Sequence, residues 1–327
     1  MEPSISVLNL AKHYGQLAAV DRISFNVEQG EIFGFLGPNG AGKTTTIRML
    51  TGQTKPTSGK AVVASHDIVE EAMEAKQHFG VVPEVSNVYD EMTAWDNLIF
   101  AAQLYGVPKN ERDNRAKELL ELFGLFERRR DRVGNFSRGM KRRLTIAAAL
   151  VHRPGILFLD EPTTGLDVQS LRTIRNLIEE LNRNGVTVFL TTHYIEEADQ
   201  LCQRVAIINH GRIVALDNPE QLKTSAEKHQ IIEISFSQNG NLQAKLQDLG
   251  HVSDVVKVGD KYRLHVEDIS EAVPLLTDFA QKNRLRIISI NTLMPSLEDA
   301  FVRITGLSPD VMKSEEQVKK EKGGNVG

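Results

Sequence analysis

The spacing of apolar and polar residues divides the chain into stretches of different character. Residues 5–36 carry short alternating runs separated by turn residues, which predicts an antiparallel sheet leading into the segment that follows. From about 85 to 155 the apolar residues recur at helical spacing, with Thr93 as a predicted helix cap. Two continuous apolar runs, 156–159 and 186–190, flank a helical stretch at 170–182, an order typical of buried parallel strands. This part of the chain is therefore predicted to be an α/β domain.

Beyond Pro219 the pattern changes to strand, helix, strand, strand, helix, strand over residues 231–290, which predicts a small ferredoxin-like α+β domain. A last helix is predicted at 296–304, and the charged residues 308–327 are predicted to be a disordered tail. The predicted domains are 1–222, with a helical subdomain at about 85–155, and 223–307.

Composition limits the classes of function. A length of 327 residues suggests about two domains, and a net charge of −4 gives no general attraction to nucleic acid or acidic membranes. The single cysteine, Cys202, excludes an intrachain disulfide and is expected to be a small packing residue. The sequence shows neither an export signal at its start nor an apolar window long enough to span a bilayer, so we expect a cytoplasmic protein.

The strongest chemical signal is the segment 37–44, which fits the phosphate-loop pattern G-x-x-x-x-G-K-[ST] between a strand-like run and a helical pattern. Its glycines allow backbone N–H groups to surround a polyanion at the start of a helix. Lys43 is expected on the β- and γ-phosphates and the hydroxyl of Thr44 in a magnesium shell. The alternative interpretation is a glycine-rich turn that binds nothing. The phosphate loop is favoured because the strand, the glycine spacing, the Lys-Thr pair and the helix all coincide. The predicted nucleotide-binding residues of this segment are Gly37, Pro38, Asn39, Gly40, Ala41, Gly42, Lys43, Thr44 and Thr45.

Two acids, Asp160 and Glu161, follow the first continuous apolar run, where open α/β sheets place their ligand groups. We assign Asp160 to a metal ion and Glu161 to the activation of water, against the alternative of a solvated acidic turn. His193 closes the next apolar run. A lone histidine is usually structural, but adjacent strand ends would bring His193 beside Glu161 and within reach of a γ-phosphate.

In their order along the chain, these motifs resemble the nucleotide-binding subunits of ATP-binding-cassette (ABC) transporters. The resemblance covers residues 4 to about 220 and includes Phe-Ser-Arg-Gly-Met at 136–140, Gly-Leu-Asp at 165–167 and Thr-His at 192–193. It implies that Tyr14 stacks on adenine and that Ser137 with Gly139 completes the ATP site of a second copy. It further implies a P-loop ATPase fold, ATP and Mg²⁺ as cofactors, a head-to-tail dimer, and separate transmembrane permease subunits at the cytoplasmic face of the membrane.

The sequence departs from the family pattern in the signature and at the residue after Pro83. Arg138 and Met140 replace a glycine and a glutamine of the usual Leu-Ser-Gly-Gly-Gln signature, and Glu84 replaces a glutamine. Glu84 retains an oxygen that could approach the magnesium ion, so it is kept as a metal candidate. Glu84 and the closing run at 294–301 resemble the drug-resistance and sodium-export branch of the family.

The resulting prediction is an ATPase subunit of a membrane exporter. Two alternatives remain: a soluble ATPase of the same family that acts on ribosomes or DNA, and a nucleotide-gated regulatory module without productive hydrolysis. Basic runs at 127–132 and 141–143 invite a nucleic-acid interpretation, but a solvated helical face with interspersed acids is the favoured reading. No nucleic-acid partner is predicted.

Overall fold

The computed structural model describes residues 2–225, 230–237, 242–293 and 296–307, and the chain forms two compact units that divide between Asn218 and Pro219. The division falls slightly before the boundary predicted at 222. The predicted tail, 308–327, lies outside the described residues, as do Met294 and Pro295 of the closing run.

The first unit contains two sheets and the helices that cover them. Its strands are β1 (Ile5–Tyr14), β2 (Leu17–Val27), β3 (Ile32–Leu36), β4 (Ser58–Val63), β5 (His66–Asp67), β6 (Phe79–Val82), β7 (Ile156–Asp160), β8 (Thr187–Thr192), β9 (Arg204–Asn209) and β10 (Arg212–Asp217). Its helices are α1 (Lys43–Leu50), α2 (Ala72–Lys76), α3 (Ala94–Leu104), α4 (Lys109–Leu122), α5 (Arg138–Ala149), α6 (Val168–Arg183) and α7 (Ile195–Leu201).

The central sheet has the strand order β10-β9-β3-β8-β7-β6, and β9, β3, β8, β7 and β6 run parallel. The predicted βαβ unit at 156–190 is therefore present as β7, α6 and β8. The prediction was wrong for residues 32–36, which belong to this parallel sheet and not to the antiparallel one. All five residues of β3 are buried, because both faces of the sheet are covered.

The antiparallel sheet has the order β2-β1-β4-β5 and packs on the central sheet through aromatic side chains. Phe25 of β2 stacks on Phe33 of β3 and on Phe189 of β8, with ring centroids 5.4 and 5.9 Å apart. Phe158 of β7 extends the cluster, 5.6 Å from Phe189. Such pairs add to the burial of their large apolar surfaces, so this cluster fixes the two sheets against each other.

The segment predicted to be a helical subdomain forms α3, α4 and α5. The predicted cap is confirmed, since the Thr93 hydroxyl accepts a hydrogen bond from the Asp96 N–H at 3.1 Å. The interpretation of 141–143 as a solvated face was wrong for Arg142, whose side chain is only 4 % exposed. Every helix among the described residues is too short or too polar to span a bilayer.

The second unit follows the predicted order of elements. It contains α8 (Pro219–Ser225), β11 (Gln230–Phe236), α9 (Gln243–Gln247), β12 (Val252–Val258), β13 (Lys261–Val266), α10 (Ile269–Lys282), β14 (Ile287–Leu293) and α11 (Leu297–Thr305). Its sheet has the order β12-β13-β11-β14 with every neighbouring pair antiparallel, and its core includes Phe236, Leu264 and Leu276.

Candidate functional site

Three neighbouring parallel strands, β3, β8 and β7, end at one edge of the central sheet, and each is followed by residues with predicted chemistry. The Gly37 N–H donates to the Thr192 carbonyl at 3.2 Å, which joins the end of β3 to the end of β8. The Glu161 N–H donates to the Thr191 carbonyl at 3.1 Å, which joins β7 to β8. Strand pairing thus brings the phosphate loop, the two acids and His193 to one edge.

The loop between β3 and α1 requires glycine where the backbone passes other chain segments closely. A Cβ at position 37 would lie 2.3 Å from the Ile208 carbonyl oxygen. Gly42 has φ 110° and precedes α1, whose first turn contains no acidic residue and no side-chain cap. The N–H groups at the start of α1 therefore remain available to an anion, and their aligned dipoles favour it.

Lys43, the first residue of α1, points back along the loop. Its ammonium donates to the carbonyl oxygens of Gly37 at 2.7 Å and Pro38 at 3.2 Å, and it lies 3.1 Å from Oε1 of Glu161. Both charged side chains are only 6 % exposed. A buried ion pair of this kind requires further polar partners to compensate for its desolvation, and the two carbonyls supply them to Lys43.

Asp160 ends β7 and contacts two hydroxyl groups. The Thr191 hydroxyl donates to Oδ1 of Asp160 at 2.6 Å, and the Thr44 hydroxyl lies 3.4 Å from the same oxygen although the two residues are 116 positions apart. A carboxylate and a hydroxyl oxygen at this separation form a donor set that suits a hard divalent cation. Thr191 was not predicted as a functional residue, although its position directly after the apolar run 186–190 was a usable signal.

Glu161 adopts a left-handed backbone conformation, with φ 49°, at the turn after β7. Its Oε2 lies 2.8 Å from Nδ1 of His193 and accepts a hydrogen bond from the Thr164 hydroxyl at 3.2 Å. Burial raises the pKa of Glu161, but the hydrogen bond to His193 and the nearby charge of Lys43 outweigh it and hold the pKa below its ordinary value. Glu161 is consequently ionised at neutral pH, as a general base must be.

Three further predicted residues, Tyr14, Ser137 and Glu84, belong to other segments of the chain. Tyr14 ends β1 with half of its surface exposed, and the Lys12 ammonium lies 5.2 Å from its ring centroid. Ser137 caps α5 by accepting from the Met140 N–H at 3.2 Å. Within the described ranges, no hydrogen bond or ion pair joins the side chains of these three residues to those of Lys43, Asp160, Glu161 or His193.

Gly139 is buried in the first turn of α5, where that helix approaches α6. A Cβ at this position would lie 2.3 Å from the Ser170 hydroxyl oxygen. The glycine is therefore needed for packing inside this chain, in addition to any contact that its N–H makes with an anion.

Comparison with known proteins agrees with the geometry. Residues 20–164 match the ABC transporter family model, and residues 218–305 match the model of the ATP-binding protein DrrA1-3-like C-terminal domain. The chain is 38 % identical over 301 residues to the linearmycin resistance ATP-binding protein LnrL of Bacillus subtilis, covering 91 % of this chain and 97 % of the relative.

The chain belongs to the ATP-binding subunits of ABC transporters. It is also 34 % identical over 322 residues to the daunorubicin/doxorubicin resistance ATP-binding protein DrrA of Streptomyces peucetius, covering 98 % of this chain and 97 % of the relative. The bacitracin transport ATP-binding protein BcrA of Bacillus licheniformis is 36 % identical over 313 residues, with 94 % and 98 % covered. These relatives confirm the predicted drug-resistance branch of the exporters.

Solved structures of ABC subunits superpose on most of the chain. One is cbiO1 of Clostridium perfringens, part of the ABC transporter complex cbiONQ, with a TM-score of 0.64, 28 % identity and coverage of 70 % of this chain and 92 % of that one. Another is a dimeric ATP-binding cassette in a post-hydrolysis state bound to ADP and Pi, with a TM-score of 0.60, 25 % identity and coverage of 65 % and 98 %. The chain is accordingly an ABC ATPase subunit, which couples ATP hydrolysis to transport.

Proposed function

We propose that two copies of this ABC subunit close head to tail on two ATP molecules and thereby drive separate permease subunits that export a substrate. The observation that carries the proposal is the meeting of Lys43, Asp160, Glu161 and His193 at one edge of the central sheet, since hydrolysis needs a phosphate cradle, a metal ligand and a base together.

Nucleotide binding is assigned to the loop and to the start of α1. In this assignment backbone N–H groups of the loop and of the start of α1 surround the phosphates, and Lys43 exchanges its contacts with the Gly37 and Pro38 carbonyls for the β- and γ-phosphates. Tyr14 stacks on adenine, which its half-exposed ring permits.

A magnesium site is assigned to Thr44 and Asp160, with Glu84 as a further candidate. The hydroxyl and carboxylate oxygens lie 3.4 Å apart, and oxygen donors of this kind leave the remaining coordination to phosphate and water, as Mg²⁺ prefers. When bound there, the ion would neutralise phosphate charge and orient the phosphates. Glu84 begins a turn next to this edge, with its side chain exposed.

The hydrolytic roles follow from the contacts of Glu161. The ionised carboxylate orients a water molecule and accepts its proton, while the contact with His193 at 2.8 Å fixes the direction in which the carboxylate points. Lys43 stabilises charge on the transferred phosphoryl group.

The second copy is assigned the remaining contacts of each site. Ser137 and Gly139 lie at the start of α5, where a hydroxyl, N–H groups and a helix dipole could face the γ-phosphate bound by the partner. Contacts of this kind exist only in the closed dimer, so loss of the γ-phosphate releases them and the dimer cycles.

Permease binding is assigned to the helical segment, which places the subunit at the cytoplasmic face of the membrane. Its exposed apolar side chains support this assignment, and they include Val85 at 77 %, Leu104 at 70 % and Tyr89 at 52 % exposed. Tyr89 and Leu104 line a cavity of about 180 Å³ beside α3 and α5. Co-purification with a membrane protein that is lost on Leu104→Asp would support the assignment, and retention would contradict it.

The second unit is assigned a ferredoxin-like fold that stabilises the dimer. Its β-α-β-β-α-β order and its sheet order β12-β13-β11-β14 support the fold. Removal of residues 219–327 should leave a monomer in dilute solution, and an unchanged dimer would count against this role.

The decisive experiment for the ATPase cycle compares Glu161→Gln with Lys43→Ala and with the control Glu179→Gln, an exposed carboxylate on α6. Glu161→Gln should bind ATP and form a stable dimer without hydrolysis, whereas Lys43→Ala should lose nucleotide binding. Normal turnover in Glu161→Gln would contradict the assigned base, and a monomer at saturating ATP would contradict the proposed dimer.

A further inference from the structure

The side chain of Arg142 makes an unusual set of contacts for an arginine in the middle of a helix. Its Nε donates to the Pro162 carbonyl at 2.7 Å, and its Nη2 donates to the carbonyls of Asp160 at 2.9 Å and Glu161 at 2.6 Å. Its Nη1 donates to the carbonyls of Pro83 and Glu84, the latter at 3.2 Å. A guanidinium has five N–H donors, so each can be matched with one of these carbonyls.

The five carbonyls belong to two separate turns at the edge of the central sheet. One turn, 160–162, begins at the last residue of β7 and contains both acids of the site, while the other, 83–84, follows β6 and contains the third metal candidate. Parallel strands do not fix the turns that follow them, because the ladder of backbone hydrogen bonds ends with the strand. Arg142 supplies the missing bonds at both turns.

The contact with Glu161 is made to a residue in a strained conformation. A left-handed backbone at a residue other than glycine costs roughly 1 kcal/mol or more, so the turn relaxes unless surrounding bonds hold it. Arg142 donates to the carbonyls of residue 161 and of both its neighbours.

Burial lowers the pKa of Arg142 to about 10, although the charges of Asp160, Glu197, Glu84 and Glu161 act to raise it. The guanidinium therefore keeps its proton and all five donors at neutral pH. A lysine here would offer three donors from one nitrogen atom and could not span both turns.

Helix α5 gives this residue a second connection. Ser137 caps that helix and Gly139 lies in its first turn, while Arg142 follows one turn later. A rigid helix thus joins the segment assigned to the partner's ATP with the turn that holds the base for this copy's own ATP.

We propose that Arg142 is a positioning residue for ATP hydrolysis, which holds the 160–162 and 83–84 turns in register with the helix that carries Ser137 and Gly139. By holding the 160–162 turn, Arg142 keeps Glu161 in the position needed for the hydrolysis step of this ABC ATPase. The link between Arg142 and the signature segment, residues 136–140, rests on the proposed head-to-tail dimer.

The test uses Arg142→Gln and Arg142→Lys, with Arg143→Gln as the matched control. Arg143 is the next residue of the same helix, but its guanidinium donates to the Phe123 carbonyl at 2.8 Å, outside the site. Arg142→Gln should lower kcat by about 10- to 100-fold, because the base is displaced, while ATP affinity stays within about threefold of wild type. The kcat of Arg142→Lys should lie between those of wild type and Arg142→Gln. Arg143→Gln should retain the wild-type kcat.

Thermal denaturation and binding of a fluorescent ATP analogue separate positioning from general folding. Loss of kcat with near-normal affinity and melting temperature supports the proposal. Unchanged kcat in Arg142→Gln overturns it, as does a parallel loss of affinity, melting temperature and kcat in both Arg142 variants. Because Arg142→Lys preserves the charge, it serves as the decisive variant if Arg142→Gln does not fold.

The link to the signature segment is measured in the Glu161→Gln background by size-exclusion chromatography over a series of ATP concentrations. Adding Arg142→Gln should raise the ATP concentration needed for dimer formation, and adding Arg143→Gln should not. An unchanged concentration overturns the link. If Glu161→Gln alone stays monomeric, the proposed dimer fails, and the kcat comparison still decides the role of Arg142 in hydrolysis.

Discussion

Replacing Gly139 with alanine should push the signature segment away from α6. The added Cβ would lie 2.3 Å from Oγ of Ser170 and 2.7 Å from its Cβ. Rotation of the Ser170 side chain would break the hydrogen bond in which its hydroxyl donates to Asp167 at 2.8 Å, and the bond from its N–H to the same carboxylate at 2.9 Å holds its backbone in place. Because nonbonded atoms attract best at roughly 3.5 Å, one helix must shift by about 1 Å.

The sign of this effect is opposite to the one expected from helix propensity alone. Alanine is favoured over glycine by about 1 kcal/mol inside a helix, whereas overpacking a fixed neighbour costs about 1–3 kcal/mol. Gly139→Ala should therefore be neutral to moderately destabilising, by up to about 2 kcal/mol. Gly139 is proposed to contact the ATP of the partner copy, and a displacement of about 1 Å at such a contact lowers a rate by about 100-fold, so the ATPase rate should fall much more than stability.

The assay compares ATPase rate and thermal stability in Gly139→Ala, Ser170→Gly and the double variant. Removing the Ser170 side chain takes away both close atoms, so the double variant should regain most of the activity lost in Gly139→Ala. Gly155→Ala is the matched control, because its Cβ would have no atom within 4 Å. Full activity of Gly139→Ala, or failure of Ser170→Gly to restore it, would refute this reasoning.

Three further predictions concern polar side chains of the first unit, namely Thr191 and His193 of the site and Glu197 of α7. Thr191→Val removes the hydroxyl that donates to Asp160 at 2.6 Å, so it should lower the unfolding free energy by about 1–3 kcal/mol. It should also raise the Mg²⁺ concentration needed for half of the maximal ATPase rate, and an unchanged Mg²⁺ concentration would count against the metal assignment. Burial raises the pKa of Glu197, so the unfolding free energy of wild type should fall as pH rises above the ordinary pKa of 4.5. Glu197→Gln should therefore melt at a higher temperature than wild type at pH 8 but not at pH 4. An equal difference in melting temperature at both pH values would contradict this account. His193→Ala removes a group that lowers the pKa of Glu161, so the acidic limb of the residual kcat profile should move to higher pH, and an unmoved limb would exclude this effect.

Local patterns were enough to predict most elements of the chain. The cap at Thr93 and the helix at Ile269–Lys282 depend on neighbouring residues, and local patterns report such features directly. The same patterns could not assign residues 32–36 to a sheet, since a short run of apolar residues does not reveal which strands lie beside it.

The basic run at 141–143 shows the same limit for side chains. Three consecutive cations are typical of a solvated surface, yet consecutive residues of a helix point in different directions, and of these three only Arg142 is buried. Its partners are backbone carbonyls, which every residue carries, so no pattern of residue types could have identified them.

The sequence by itself determined the phosphate loop, because glycine spacing, a following Lys-Thr pair and a helix start all lie within one short segment. Only the tertiary structure decided that Lys43 contacts Glu161, that Thr44 approaches Asp160, and that His193 contacts Glu161. The physical reason is that these groups are far apart in the chain. They meet because β3, β8 and β7 pair in parallel, so that all three strands end at the same edge of the sheet. Local sequence patterns do not predict which distant strands pair.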